Sequence, residues 1–233
     1  MKLLAIDCAT APVSCCITED GVTKGFGFLN RPTTHSQTLM PLMNEILRQT
    51  ETEIRDVNLF AVSAGPGSFT GVRIGIAAVK GLAFAHDTPC VAVSTLEAMA
   101  YNFLTFEGIV CGAMDARCHQ VYHALFRVHE GKVTRLIPDT AFSIDDLLTE
   151  LAGFSDQPVM LVGDGAHLVY EEGKTAQKNL ILSPENLRFQ TAEGVAILGE
   201  IMYNNHNTVK PEDLLPIYLR RPQAERELAE GKK

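Results

Sequence analysis

Residues 63–85 read SAGPGSFTGVRIGIAAVKGLAFA. A glycine loop opens the stretch, and a run with almost no polar face follows. The apolar LFAVSA at 59–64 leads in as a strand, and a helix over 71–86 leads out. The loop Gly65-Pro66-Gly67-Ser68-Phe69-Thr70-Gly71 therefore sits where a helix N-terminus offers free N–H groups and a positive dipole end to an anion. It lacks the signatures of such loops. No Lys-Ser/Thr follows Gly71, the spacing is not GxGxxG, and Ser68 has Pro66 and Thr70 where a nucleophile elbow has glycines. The plainer reading is a tight turn capped by Ser68 or Thr70.

The elements on either side form a repeated plan. Strands are predicted at 2–8, 12–19 and 22–29, with Gly21 in a hairpin turn. A helix at 36–49 follows, then the strand, loop and helix of 59–86, a strand at 90–93, and a helix to about 104 capped by Ser94 and Glu97. The same order recurs: strands at 109–115, 119–129 and 132–137 with Gly131 turning a hairpin, a helix at 144–152 capped by Ser143, a strand at 159–162, a helix at 165–177, a strand at 180–182 and a helix at 191–206. This order resembles the actin, Hsp70 and sugar-kinase superfamily. The resemblance implies an α/β fold of two ribonuclease H-like halves, at 1–105 and 106–210, with a tail at 211–233. Helices in such a core lie outside the sheet with one face free.

Two helices carry more apolar surface than one buried stripe needs. The helix at 71–86 has Val72, Ile74, Ile76, Val79, Leu82 and Phe84 around most of its circumference, interleaved with small residues, and only Arg73 and Lys80 are charged before His86. The helix at 36–49 has Leu39, Met40, Leu42, Met43, Ile46 and Leu47. Either both are covered inside the monomer, or they meet a partner. The free helix face favours a subunit interface at Leu39, Met40, Met43, Leu47, Val72, Gly75, Ile76 and Val79.

Composition limits the function. The chain has 233 residues, 46% of them hydrophobic and 21% charged, enough for a core and against disorder. Its net charge of −8 argues against extended nucleic-acid binding by the chain alone. The densest basic stretch, Arg220, Arg221, Arg226, Lys232 and Lys233, is balanced by Glu225, Glu227 and Glu230 and reads as a solvated tail. The six cysteines form no CxxC, which fits a reducing cytosol. The opening MKLLAIDCAT is too short an apolar run for a signal peptide, and no segment reaches the ~20 apolar residues of a membrane span. A cytoplasmic location follows as the expectation.

The superfamily's nucleotide cleft is degraded here. Asp7 and Thr10 end the first strand, but Ala9 stands where a phosphate turn has glycine. Asp115 ends the matching strand of the second half, and Arg117 stands in the place of the other glycine. Gly163 and Gly165, flanking Asp164, remain of an adenosine loop. His119 and His123 have HxxxH spacing, but four residues of strand span about 13 Å, too far for one ion. No catalytic, metal or cofactor residue is assigned.

SAGPGSFTGVRIG, with the opening LAIDCAT, His35-Ser36-Gln37-Thr38-Leu39-Met40-Pro41 and Pro216-Ile217-Tyr218-Leu219-Arg220, resembles the bacterial tRNA threonylcarbamoyladenosine (t6A) biosynthesis family called TsaB or YeaZ, along the whole chain. The resemblance implies a non-catalytic relative of the transferase TsaD. It would pair with TsaD as a heterodimer and join the ATPase TsaE in a ternary complex that modifies adenosine 37 of tRNA. Alone it would form a homodimer, and it would meet tRNA only through the complex. The first-half helices would be the interface. The catalytic relative's metal-binding HxxxH has a counterpart only in His35 here. Two alternatives stay open: an ATP-dependent phosphotransferase of the sugar-kinase type, and a glycoprotease-like metallopeptidase, for which no chelating histidine pair is found.

Overall fold

The computed structural model describes residues 1–31 and 34–220. The first sheet is built from β1 (Lys2–Asp7), β2 (Val13–Glu19), β3 (Val22–Leu29), β4 (Leu59–Gly65) and β5 (Cys90–Ser94), in the order β3-β2-β1-β4-β5. The second has β6 (Gly108–Asp115), β7 (Gln120–His129), β8 (Lys132–Ser143), β9 (Val159–Val162) and β10 (Leu180–Leu182), in the order β10-β9-β6-β7-β8. In each, three antiparallel strands continue into two parallel ones. The duplication expected from element order is thus present in the pairing. The two hairpins also turn alike. Asp20 and Gly21, then Glu130 and Gly131, all have positive φ, which matches the right-handed twist of the flanking strands.

Helices cover both faces of each sheet. In the first, α1 (His35–Gln49) and α2 (Phe69–Phe84) lie over Leu4, Ile6, Phe60 and Val62. Strand alternation sends Leu3, Ala5, Leu59 and Ala61 to the other face. There they meet Val195 and Leu198 of α6 (Ala192–Asn204). In the second sheet, Ile109, Cys111 and Leu161 pack under α4 (Ile144–Leu151) and α5 (Ala166–Gly173). On the reverse face, Val110, Met114 and Phe126 meet Leu96 and Met99 of α3 (Thr95–Ala100). Strands therefore sort by sheet on either side of 105/106, and helices do not: α3 lies on the second sheet and α6 on the first.

Several boundaries move. The helix predicted at 71–86 starts at Phe69, because Ser68 is its cap and accepts the Gly71 N–H at 3.2 Å. β8 runs on to Ser143, α5 stops at Gly173, and His119 precedes β7. Ser94 caps α3 as expected, but Glu97 turns away from the cap to pair with Arg135, which also holds Asp139.

The chain ahead of the basic stretch is docked on the first half. Val209 pairs with Cys90 on the free edge of β5. Leu214 is fully buried, the Ile217 N–H donates to the Ala64 carbonyl at 2.7 Å, and Lys80 donates to the Glu212 carbonyl. Residues 209–218 are a strap across the ends of β4, β5 and α2. Arg220 is half-buried, 5.8 Å from the Tyr122 ring centre. Arg221, Arg226, Lys232 and Lys233 lie outside the described residues. Among the described residues no helix is long and apolar enough to cross a membrane.

Candidate functional site

β4 delivers the glycine loop against the turn that ends β1. A Cβ on Gly67 would stand 2.3 Å from the Ala9 carbonyl oxygen, and one on Gly71 would stand 2.1 Å from that of Cys8. The Ser68 N–H donates to the same Ala9 carbonyl at 2.6 Å. Glycine is required here by backbone packed on backbone. The loop meets acceptor oxygens of its own chain where a phosphate loop presents donors to an anion.

Asp7, next to that turn, is 1% exposed. Its Oδ1 accepts the Ala9 N–H at 2.9 Å, and its Oδ2 accepts the Ser63 hydroxyl. Burial pushes its carboxyl above the ordinary value, although the bonds from Ser63, Ala9 and Gln190 act the other way. Thr10 is closed in as well. Its carbonyl accepts from His35 Nε2 at 2.7 Å, and its hydroxyl accepts from the Gln190 side chain. His35 is thus engaged with the backbone of the first turn.

Asp115 faces the cleft between the two sheets, where its carboxylate accepts the Arg117 N–H at 2.7 Å. Arg117 is left-handed, with φ 65°. Gly163 and Gly165 pack against the end of β6, and the Gly165 N–H donates to the Ala113 carbonyl at 3.0 Å. Asp164 accepts the Asp115 N–H, and its pKa is raised by burial first and by the Asp115 charge in addition. The cleft has a volume of about 700 Å³ and brings together Thr10, His35, Ser68, Asp115, Arg117 and Asp164. Asp7 does not line it. A magnesium nucleotide needs a carboxylate open to the cleft and free N–H donors at the phosphates. Asp115 and Asp164 are open to this cleft, but Asp7 is sealed away from it and the glycine loop spends the Ser68 N–H on Ala9.

The residues expected at a subunit interface, Met40 excepted, do not lie on the surface. Leu39, Met43, Leu47, Val72, Gly75, Ile76 and Val79 are buried in this chain's own core. A Cβ on Gly75 would touch Val62 and Cys8 of the sheet. Of the eight residues, Met40 alone is exposed, at 39%. The apolar excess of the two helices is consumed by the sheet, by their contact with each other and by the strap at 211–214. The outward face of α2 is instead Arg73, Ala77, Gly81 and Phe84, beside half-buried Ile74 and Ala78. Phe84 is 72% exposed, and a Cβ on Gly81 meets nothing within 4 Å. Arg73 lies over the Phe69 ring, and its Nε donates to the Tyr218 hydroxyl at 2.7 Å, which fixes the strap beside this face. Sequence reasoning missed the strap, Ser63 and Gln190. Their contacts span from 56 to 180 residues and leave no local pattern.

The fold is the two-sheet architecture that the resemblance to the actin, Hsp70 and sugar-kinase proteins implies. The ROK hexokinase of Thermus thermophilus shares the architecture, with a TM-score of 0.50 at 11% identity over 88% of this chain and 100% of that one. A profile of the family described as TsaD, tRNA N6-adenosine threonylcarbamoyltransferase, matches residues 31–228. The tRNA threonylcarbamoyladenosine biosynthesis protein TsaB of Escherichia coli is 32% identical, over 94% of this chain and 95% of its own. YeaZ from Pseudomonas aeruginosa superposes with a TM-score of 0.82 at 27% identity, over 94% of this chain and 99% of that one. The chain belongs to the TsaB family, within the wider group that takes its description from the transferase.

Proposed function

We propose that this chain is a non-catalytic subunit of the machinery that makes threonylcarbamoyladenosine in tRNA. It pairs with the transferase TsaD, joins the ATPase TsaE in a larger assembly, forms a homodimer when alone, and meets tRNA only through the complex in the cytoplasm. The observation that carries the non-catalytic reading is Asp7, buried and bonded to Ser63 and Ala9. The pairing reading is supported by the outward face of α2, where Ala77 and Gly81 permit close backbone approach and Phe84 offers apolar area.

The test is a reconstituted threonylcarbamoylation of tRNA with TsaD and TsaE, with and without this chain. Transfer should depend on the chain in the mixture and be absent with the chain alone, and Asp7→Asn should support transfer as well as the parent does. A second reading, a transferase in its own right, draws on the match to the profile described for TsaD. Turnover by the isolated chain that Asp7→Asn abolishes would establish it instead.

A further inference from the structure

Away from the cleft, three metal-ligating side chains from three elements converge on the second half. His119 ends the turn before β7, Asp145 lies in the first turn of α4, and Glu172 lies in the last turn of α5. His119 Nε2 is 3.3 Å from Glu172 Oε2 and 4.0 Å from Asp145 Oδ2. One ligand atom of each lies within 4.8 Å of the other two. We propose that His119, Asp145 and Glu172 form a divalent-metal site, and that zinc is the ion their donors fit.

On a tetrahedral ion with Zn–N and Zn–O bonds of about 2.0–2.2 Å, two ligand atoms stand about 3.3–3.6 Å apart. The His119–Glu172 distance is already in that range, and the exposed Asp145 carboxylate would have to turn inward to join them. One imidazole with two carboxylates suits a first-row divalent ion, whereas magnesium and calcium prefer all-oxygen sets. The backbones that carry the ligands are held together by contacts other than the ligands. The Ile144 N–H donates to the His119 carbonyl at 3.3 Å, Gln120 pairs with Ser143, and α4 packs on α5. Neighbouring charges are engaged elsewhere: Asp146 with Ser143, and Lys174 with Glu171. Two carboxylates beside an imidazole would make a local potential that attracts a cation. His123, four residues on, is unavailable, being fully buried and bonded to Glu150 at 2.8 Å. Ala116 and Arg117 line the cleft just before His119, so a bound ion would tie the lip of the cleft to α4 and α5.

The test is calorimetric titration of the untagged, metal-stripped full chain with zinc chloride, with magnesium chloride as the control and cobalt(II) absorption as a second readout. We expect one saturable zinc site per chain and no comparable magnesium binding. His119→Ala and Glu172→Gln, each folded by circular dichroism, should weaken zinc by at least about tenfold and change the cobalt spectrum. No saturable site in the parent chain would overturn the proposal: the three groups would then be an ion pair only. Equal binding by both variants would overturn it too, because the ion would sit elsewhere.

Discussion

At Gly71 a methyl group would stand 2.1 Å from the Cys8 carbonyl oxygen, which is backbone, and 3.0 Å from the His35 ring, which is held on the Thr10 carbonyl. Gly71→Val should therefore lower stability by about 3 kcal/mol, read as a fall in the denaturation midpoint. The loop then acts as a wedge between β1 and α2. Asp7 supports a second expectation with a defined sign. Its carboxyl is raised by burial, so the folded chain keeps a proton that the unfolded chain releases above about pH 4. Stability owed to that proton is lost as pH rises from there towards the folded value, and levels off beyond it. Asp7→Asn removes this loss. Its thermal midpoint should gain on the parent as pH rises from 4, and a gap that shrinks over that range would contradict the protonated, sealed carboxyl. At this scale the sequence was half legible. Ser68 as cap, and Ala9 and Arg117 as departures from a phosphate turn, could be read locally. Closure of Asp7 by Ser63 and Gln190 could not, because it joins positions far apart in the chain.

α2 shows what periodicity can and cannot decide. The helix was plain from its composition, and its excess of apolar residues was real. The face was not legible, since a helix apolar around most of its circumference has no polar side to mark solvent. Structure resolves the ambiguity at two glycines. Gly75 lies against Val62, while Gly81 faces open space. Gly75→Arg should prevent folding, by forcing a charge into the core over the sheet. Gly81→Arg should keep the parent's circular dichroism and thermal midpoint. Soluble, folded Gly75→Arg would contradict the assignment of faces.

Over the whole molecule, the duplicated strand order was legible because each half repeats the same alternation of hairpin, helix and parallel strand. The exchange of helices was not, since α3 and α6 follow their strands in sequence but pack on the other sheet. The strap was hidden for a related reason: residues 209–218 have no helical or alternating apolar period, and they dock on partners far back in the chain. Leu214, at 0% exposure in the first core, makes the strap testable. Leu214→Ala should cost about 2–5 kcal/mol, and an unchanged midpoint would mean the strap contributes nothing to the fold.

The most direct measurement is co-elution of the Gly81→Arg chain with purified TsaD in size-exclusion chromatography, beside the parent chain. The parent should co-elute with the transferase. Gly81→Arg should elute separately while remaining folded, and tRNA threonylcarbamoylation should fall with it, because on the proposed pairing the arginine occupies the face that the partner's backbone approaches. Gly81→Arg that co-elutes like the parent and sustains the modification would contradict an interface on the outward face of α2.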